Sequence, residues 1–275
     1  MIRLSRAIRF SLTDPDDLKQ QLANPGQKNS WAAWPITNRI VPQLTLSAIV
    51  EGQPDPVTGY LCNVALIDDA LRSFVNKTLI PTLANIPLNQ MPTAEHCLRL
   101  AAVDLRDRQI ENASLASITL NLSPYLSYRV DGEDFTMFQL THQFEFSAAH
   151  RLHCDSMTDQ ENADLFGKCN NPAGHGHNYV VEVSVSRELS TQSNNTAAII
   201  SLGQLAEIVN RNVIDPLDHK NLNEDIEHFS NVNPSVENIC RAVFDWLKSD
   251  IESTGCQLSE VKIFETPKTW ASFRG

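Results

Sequence analysis

No stretch of the 275-residue sequence reaches the roughly 18–20 consecutive apolar residues that a membrane-spanning helix needs. No apolar run follows the opening MIRLSRAIRF either, so neither a membrane span nor a signal peptide is expected. No two of the six cysteines (62, 97, 154, 169, 240 and 256) stand as a CxxC pair. Scattered in a chain of this length they read as free thiols in a reducing compartment, and the expected location is the cytoplasm. Basic residues are in deficit: 22 Lys and Arg against 33 Asp and Glu leave a net charge of −11. Such a surface repels phosphate backbones and anionic lipid, so neither nucleic acid nor a membrane is an expected partner. An anionic small substrate would need a local basic pocket. What the sequence does have is globular: 42% hydrophobic and 20% charged residues, enough for one large domain or two ordinary ones.

Two halves of the chain echo each other. VNKTLIPTLANIPLN (75–89) aligns without a gap to VNRNVIDPLDHKNLN (209–223), PTAEHCLR (92–99) to PSVENICR (234–241), and RAIRFSL (6–12) to HQFEFSA (142–148). The order is the same in both halves. The chain therefore reads as two copies of one domain, 1–134 and 135–275, joined near the acidic VDGEDF at 130–135.

Periodicity gives the elements of the second copy. Phe138, Leu140, His142, Phe144, Phe146, Ala148 and His150 alternate with mostly polar residues, which predicts a half-buried strand. Tyr179, Val181, Val183 and Val185 alternate with Glu182, Ser184 and Ser186 in a second strand. Leu202, Leu205, Ile208, Val209 and Val213 fit one helix, and Val236, Ile239, Cys240, Val243, Phe244, Leu247 and Ile251 a second. Asn233 is the expected cap of that second helix, with Pro234 in its first turn. SEVKIFET and WASFRG close as strands. The order ββααββ predicts an α+β fold, with helices grouped on one face of an antiparallel sheet.

The chemistry gathers around FGKCNNPAGHGHNY (166–179). His175 and His177 share one face of the second strand, and His150 ends the first. Three converging imidazoles are the donor set of a catalytic zinc with one open position. The competing reading is a polar turn beside a capped surface histidine. Cys169 lies in the loop before that strand, among Lys168, Asn170 and Asn171, which is no core environment. A thiol becomes a useful base near a cation or a metal. Asp218 and His219 set a carboxylate next to an imidazole, which could orient a proton relay to a thiol or simply cap a helix. Glu237 falls in the first turn of the second helix, where the helix dipole favours an acid. Glu265 continues the buried row of Val261 and Ile263, so its carboxylate needs a partner, such as the N–H edge of a ligand.

In order and spacing, FSAAHRL, LFGKCNNPAGHGHNY, PLDHKNLN and VKIFET resemble the 6-pyruvoyltetrahydropterin synthase family over about 137–275, the length of a family subunit. The resemblance implies the tunnelling fold, with subunits closing into rings of three, two rings stacked, and active sites between subunits. It implies zinc at His150, His175 and His177, one ion per chain, and a catalytic set of Cys169, Asp218 and His219. Glu265 would anchor the pterin ring, with Glu237 and Ser235 near the substrate; the family commonly has Thr at the latter position. The implied substrate is 7,8-dihydroneopterin triphosphate, with magnesium accompanying the triphosphate, and the implied product 6-pyruvoyltetrahydropterin. Five residues separate Cys169 from His175. That spacing resembles this branch more than the 6-carboxytetrahydropterin synthases of queuosine biosynthesis, which typically have three.

The first half keeps Thr93 and Glu95 of the helix-start motif. Asp14 stands where His150 would be, NSWAAWPITNRI precedes its second strand in place of a HGH, Ala84-Asn85 replaces Asp218-His219, and Leu122 replaces Glu265. It is expected to be a non-catalytic copy. Three chains with two copies each would supply the six units of a double ring, so a homotrimer is expected. A pterin- or zinc-binding scaffold without turnover is the rival reading, against which the Cys-Asp-His set counts.

Overall fold

The computed structural model describes residues 1–13, 15–23, 33–35, 37–84, 86–108, 110–131, 135–189 and 198–275. They form two compact units, Met1–Leu140 with Glu188–Ile199, and Thr141–Arg187 with Ile200–Gly275. Asp14, Asn85, most of NSWAAWPITNRI's first half and the centre of VDGEDF lie outside the described residues.

In the first unit, strands β1 (Ile2–Ser11), β2 (Gln43–Gly52), β3 (Ala113–Ser123) and β4 (Leu126–Asp131) pair antiparallel in that order. Leu44, Leu46, Ala48 and Val50 of β2 are buried on one face, next to Ile8 and Phe10 of β1 and Ile118 and Leu120 of β3. Helix α1 (Pro15–Ala23) follows β1, while α2 (Val64–Phe74), the short α3 (Ile80–Leu83) and α4 (Ala94–Arg106) lie between β2 and β3. Helices α2 and α4 pack on the sheet through Ile67, Leu71 and Phe74 and through Leu98, Ala101 and Leu105. Fully burying one such large side chain contributes about 1.5–3 kcal/mol.

The second unit repeats the plan. Its sheet runs β5 (Met137–His150, from Thr141 on in this unit), β6 (His175–Glu188), β8 (Gln257–Thr266) and β9 (Thr269–Phe273). Helix α5 (Asp159–Phe166) precedes β6; α6 (Leu202–Val209), α7 (Asp215–Leu217), the two-residue β7 (Lys220–Asn221), α8 (Leu222–Asp225) and α9 (Val236–Ser253) precede β8. Helix α9 packs on β8 and β9 through Ile239, Cys240, Val243, Leu247 and Ile251. Side chains on the other face of this sheet pair among themselves: Thr141 with Ser184 at 2.8 Å, Gln143 with Glu182 at 2.9 Å, and Lys262 with Glu182 at 3.2 Å.

Two details differ from the sequence expectation. The helix expected to run through Val213 stops at Val209 and passes into a π turn, Asn210–Ile214, with Asp215 N bonded to Asn210 O. The first unit has the same device: α2 passes into a π turn, Val75–Leu79, and Ile80 N bonds to Val75 O. Each turn is followed by a proline, Pro81 or Pro216, in the next short helix. A proline ring collides with the carbonyl four residues back in a regular α-helix, and the widened turn moves that carbonyl aside. The second correction concerns α9. Its cap is Ser235, whose hydroxyl accepts from Asn238 N at 3.4 Å, not Asn233. Pro234 thus precedes the cap instead of opening the helix, and the Asn233 side chain accepts from His153 N at 3.4 Å.

Candidate functional site

Strand alternation assembles the site. Buried His150 ends β5, while His175 and His177 open β6 on the face that carries Tyr179, Val181 and Val183. Strand β8 pairs with β6 through Val181 and Ile263. Extending that register by two residues sets Glu265 opposite Tyr179, beside His177. Gly174, at φ +70°, makes the turn into β6; a Cβ there would lie 3.1 Å from the His150 carbonyl oxygen.

The result is four donor atoms, from His150, His175, His177 and Glu265, all within 4.8 Å of one another. His150 Nε2 lies 3.1 Å from His175 Nε2. Glu265 Oε1 lies 3.4 Å from His150 Nε2 and 3.5 Å from His177 Nε2. Donors about 2.0–2.1 Å from a tetrahedral ion stand about 3.3 Å apart, so the cluster has the dimensions of a metal site. His175 Nδ1 and His177 Nε2 are buried without a hydrogen-bond partner, and an orphaned buried nitrogen is costly. His150 Nδ1 donates to the Pro234 carbonyl at 2.7 Å, which fixes the tautomer that leaves Nε2 free to ligate. Burial holds the pKa of His150 and His175 below the ordinary imidazole value, so both favour the neutral, ligating form.

The donor set therefore fits a metal ion. The Glu265 carboxylate, expected on a ligand's N–H edge, faces the imidazoles in this structure. Tyr179, fully buried with its hydroxyl 3.4 Å from His150 Nδ1, has its pKa raised by burial first and by the Glu265 and Cys169 charges second. Sequence reading placed Tyr179 only in the core row. It missed the Pro234 carbonyl too, a partner 84 residues from His150 for which no local pattern is a signal.

Cys169 sits, half-exposed, in the 3-10 turn Gly167–Asn170 that follows α5. No residue of that turn is buried, which agrees with a thiol outside the core. Asp218 and His219 lie beside β5. Asp218 accepts from Ser147 N at 2.8 Å and from His219 Nδ1 at 2.7 Å, and His219 N donates to Ser147 O at 2.6 Å. His219 adopts φ +58° to do so. The Ser147 amide first, and His219 second, hold the Asp218 carboxyl below its usual pKa. With Nδ1 held, Nε2 is the His219 nitrogen available for proton exchange. Among the described residues no hydrogen bond joins Cys169 to Asp218 or His219. Ser235 and exposed Glu237 stand at the start of α9.

Residues 139–275 match the model of the family described as 6-pyruvoyl tetrahydropterin synthase. The chain is 40% identical over 136 residues to the 6-pyruvoyl tetrahydrobiopterin synthase of Drosophila melanogaster, covering 50% of this chain and 79% of that protein. It is 38% identical over 137 residues to the Homo sapiens protein of that name, covering 50% and 91%. The structure of Caenorhabditis elegans 6-pyruvoyl tetrahydropterin synthase is similar with a TM-score of 0.45 and 37% identity, covering 50% of this chain and 96% of that one.

Proposed function

The chain belongs to the 6-pyruvoyl tetrahydropterin synthase family, and we propose that it converts 7,8-dihydroneopterin triphosphate to 6-pyruvoyltetrahydropterin and triphosphate. The observation that carries this reading is the convergence of His150, His175, His177 and Glu265. The imidazole-rich set favours zinc, and the chemistry a zinc ion supplies there is Lewis acidity toward the substrate's side-chain oxygens, which acidifies the adjacent C–H.

The chain's own residues do the rest. The Cys169 thiolate takes a proton from a side-chain carbon and later returns one. His219, its Nδ1 held by Asp218, exchanges protons through Nε2. Glu265 accepts the N–H edge of the pterin, with Ser235 and Glu237 at the mouth of α9 completing the pocket. Electrons freed by deprotonation expel triphosphate, which magnesium accompanies. The ring gains the hydrogens that the side chain loses, so no external reductant is needed. Because Cys169 and the Asp218–His219 pair are not bonded within one chain, a site completed by a neighbouring chain fits this reading.

In this reading the first half of the sequence, 1–134, is a non-catalytic copy of the second, 135–275. Both have a four-stranded sheet under two main helices, and both carry a π turn before a proline. The turns are one residue out of step with the ungapped sequence alignment. Thr93 caps α4 through His96 N at 3.3 Å as Ser235 caps α9. Glu95 differs from Glu237: it is 2% exposed and accepts from Ile199 N at 3.0 Å. The assembly proposed is three chains.

Incubating the protein with 7,8-dihydroneopterin triphosphate tests the reaction. Triphosphate release with a 6-pyruvoyl product by mass spectrometry is expected; a 6-carboxy product, or no release, overturns it.

A further inference from the structure

The three residues after His150 make contacts that neither the metal cluster nor the relay explains. The Arg151 guanidinium reaches the turn that carries the thiol. Its Nε donates to the main-chain oxygen of Asn170 at 3.1 Å, and a terminal nitrogen donates to the Asn170 side-chain oxygen at 3.0 Å. Leu152 N donates to the Cys169 carbonyl at 2.9 Å. His153 Nδ1 lies 2.9 Å from the same Asn170 side-chain oxygen.

The Arg151 main chain is gripped from another direction. Its N–H donates to Asn223 Oδ1 at 2.7 Å and its carbonyl accepts from Asn223 Nδ2 at 3.0 Å. Asn223 closes the segment that starts at Asp218–His219 and runs beside β5 through β7. One residue thus ties the thiol turn and the carboxylate–imidazole segment to the end of the strand that carries His150.

The turn has little else to hold it. None of Gly167–Asn170 is buried, so hydrogen bonds rather than apolar packing set where Cys169 stands. Among the described residues no carboxylate pairs with Arg151; its guanidinium meets the two oxygens of Asn170, and the same terminal nitrogen lies 3.2 Å from His153 Nδ1. A planar fork meets two acceptors on one residue at a fixed angle, which a lysine ammonium cannot reproduce.

We propose that Arg151 is a positioning residue for the proton-transfer step: its fork on Asn170 fixes the Cys169 turn relative to the end of β5, where His150 stands. This rests on the reading of Cys169 as the base. Proton transfer is steep in distance, and misplacement of a reacting group by about 1 Å can cost on the order of a hundredfold in rate.

The test uses Arg151→Met, Arg151→Lys and Asn170→Ala in the full chain. It reads metal per chain, KM and kcat for triphosphate release, and the rate at which iodoacetamide alkylates Cys169, resolved by peptide mass spectrometry. For Arg151→Met the expected result is metal at the parent level, KM within about threefold, kcat lower by roughly 10–100-fold, and a Cys169 alkylation rate changed by about threefold or more. Arg151→Lys recovers only part of kcat. Arg151→Met combined with Asn170→Ala is no worse than the worse single variant, because both act through one contact. Parent-level kcat and alkylation in both single variants overturn the proposal, and so does a kcat loss that only tracks metal loss. Where Arg151→Met does not fold, Asn170→Ala, which keeps one of the two acceptors, carries the test. Alkylation needs no turnover, so it reads the turn's position even where Cys169→Ala stays active and the base assignment fails.

Discussion

The sulfur of Cys169 stands on a half-exposed turn, so removing it opens no cavity. Cys169→Ala is expected to keep the fold and its metal while triphosphate release falls by roughly 10²–10⁴-fold, the contribution of a positioned proton-transfer group. Activity within a few-fold of the parent would make that cysteine structural. Glu265 faces two imidazoles, and it also closes the buried row of β8. Glu265→Gln separates its two uses: a higher KM with metal retained marks a pterin anchor, whereas loss of metal marks a ligand. The proposed role predicts the first. His175→Ala removes a donor from the only such cluster among the described residues, so metal analysis is expected to fall from about one ion per chain to near none. The three histidines were readable from the sequence because strand alternation alone puts 175 and 177 on one face. Pro234 was not, because its carbonyl reaches His150 from a loop 84 residues away, and local pattern carries no such pairing.

At the scale of elements, the cap of α9 and the metal cluster are mechanically linked. Ser235 fixes the start of the helix, and the carbonyl just before it holds the His150 tautomer. Ser235→Ala is expected to cost about 1 kcal/mol of stability as a lost cap. It is also expected to weaken metal binding by up to roughly tenfold through the slackened carbonyl, measured by chelator competition, with Ser235→Thr restoring both. A cap loss that leaves metal affinity untouched would show that the two are uncoupled. The succession ββααββ was readable because the periods 2 and 3.6 differ strongly. The π turns were not: one extra residue in a single turn barely disturbs the spacing of Leu202, Leu205, Ile208, Val209 and Val213. The cap was misplaced by two residues because Pro234 looks like a helix opener, and only the backbone of Ser235 (φ −70°, ψ 159°) shows where the helix begins.

For the whole molecule, the proposed assembly is read by mass. Light scattering is expected to give about three times the 30.7 kDa of one chain; a stable monomer, or two or four chains, would overturn that count. Three stretches of the sequence align between the two halves, yet the Glu95–Ile199 contact was not readable there, since nothing in the motif around Thr93 distinguishes a buried acid from the exposed Glu237. The sheet face on which Thr141 meets Ser184, and Gln143 and Lys262 share Glu182, has a thermodynamic corollary. Any surface that closes over this face encloses polar groups that have already found each other. Dehydrating polar surface changes heat capacity in the opposite sense to dehydrating apolar surface. Calorimetry of chain association over a range of temperatures is therefore expected to give a heat-capacity change far less negative than an apolar interface of equal area would, and a strongly negative one would mean that the chains meet through some other, greasier surface.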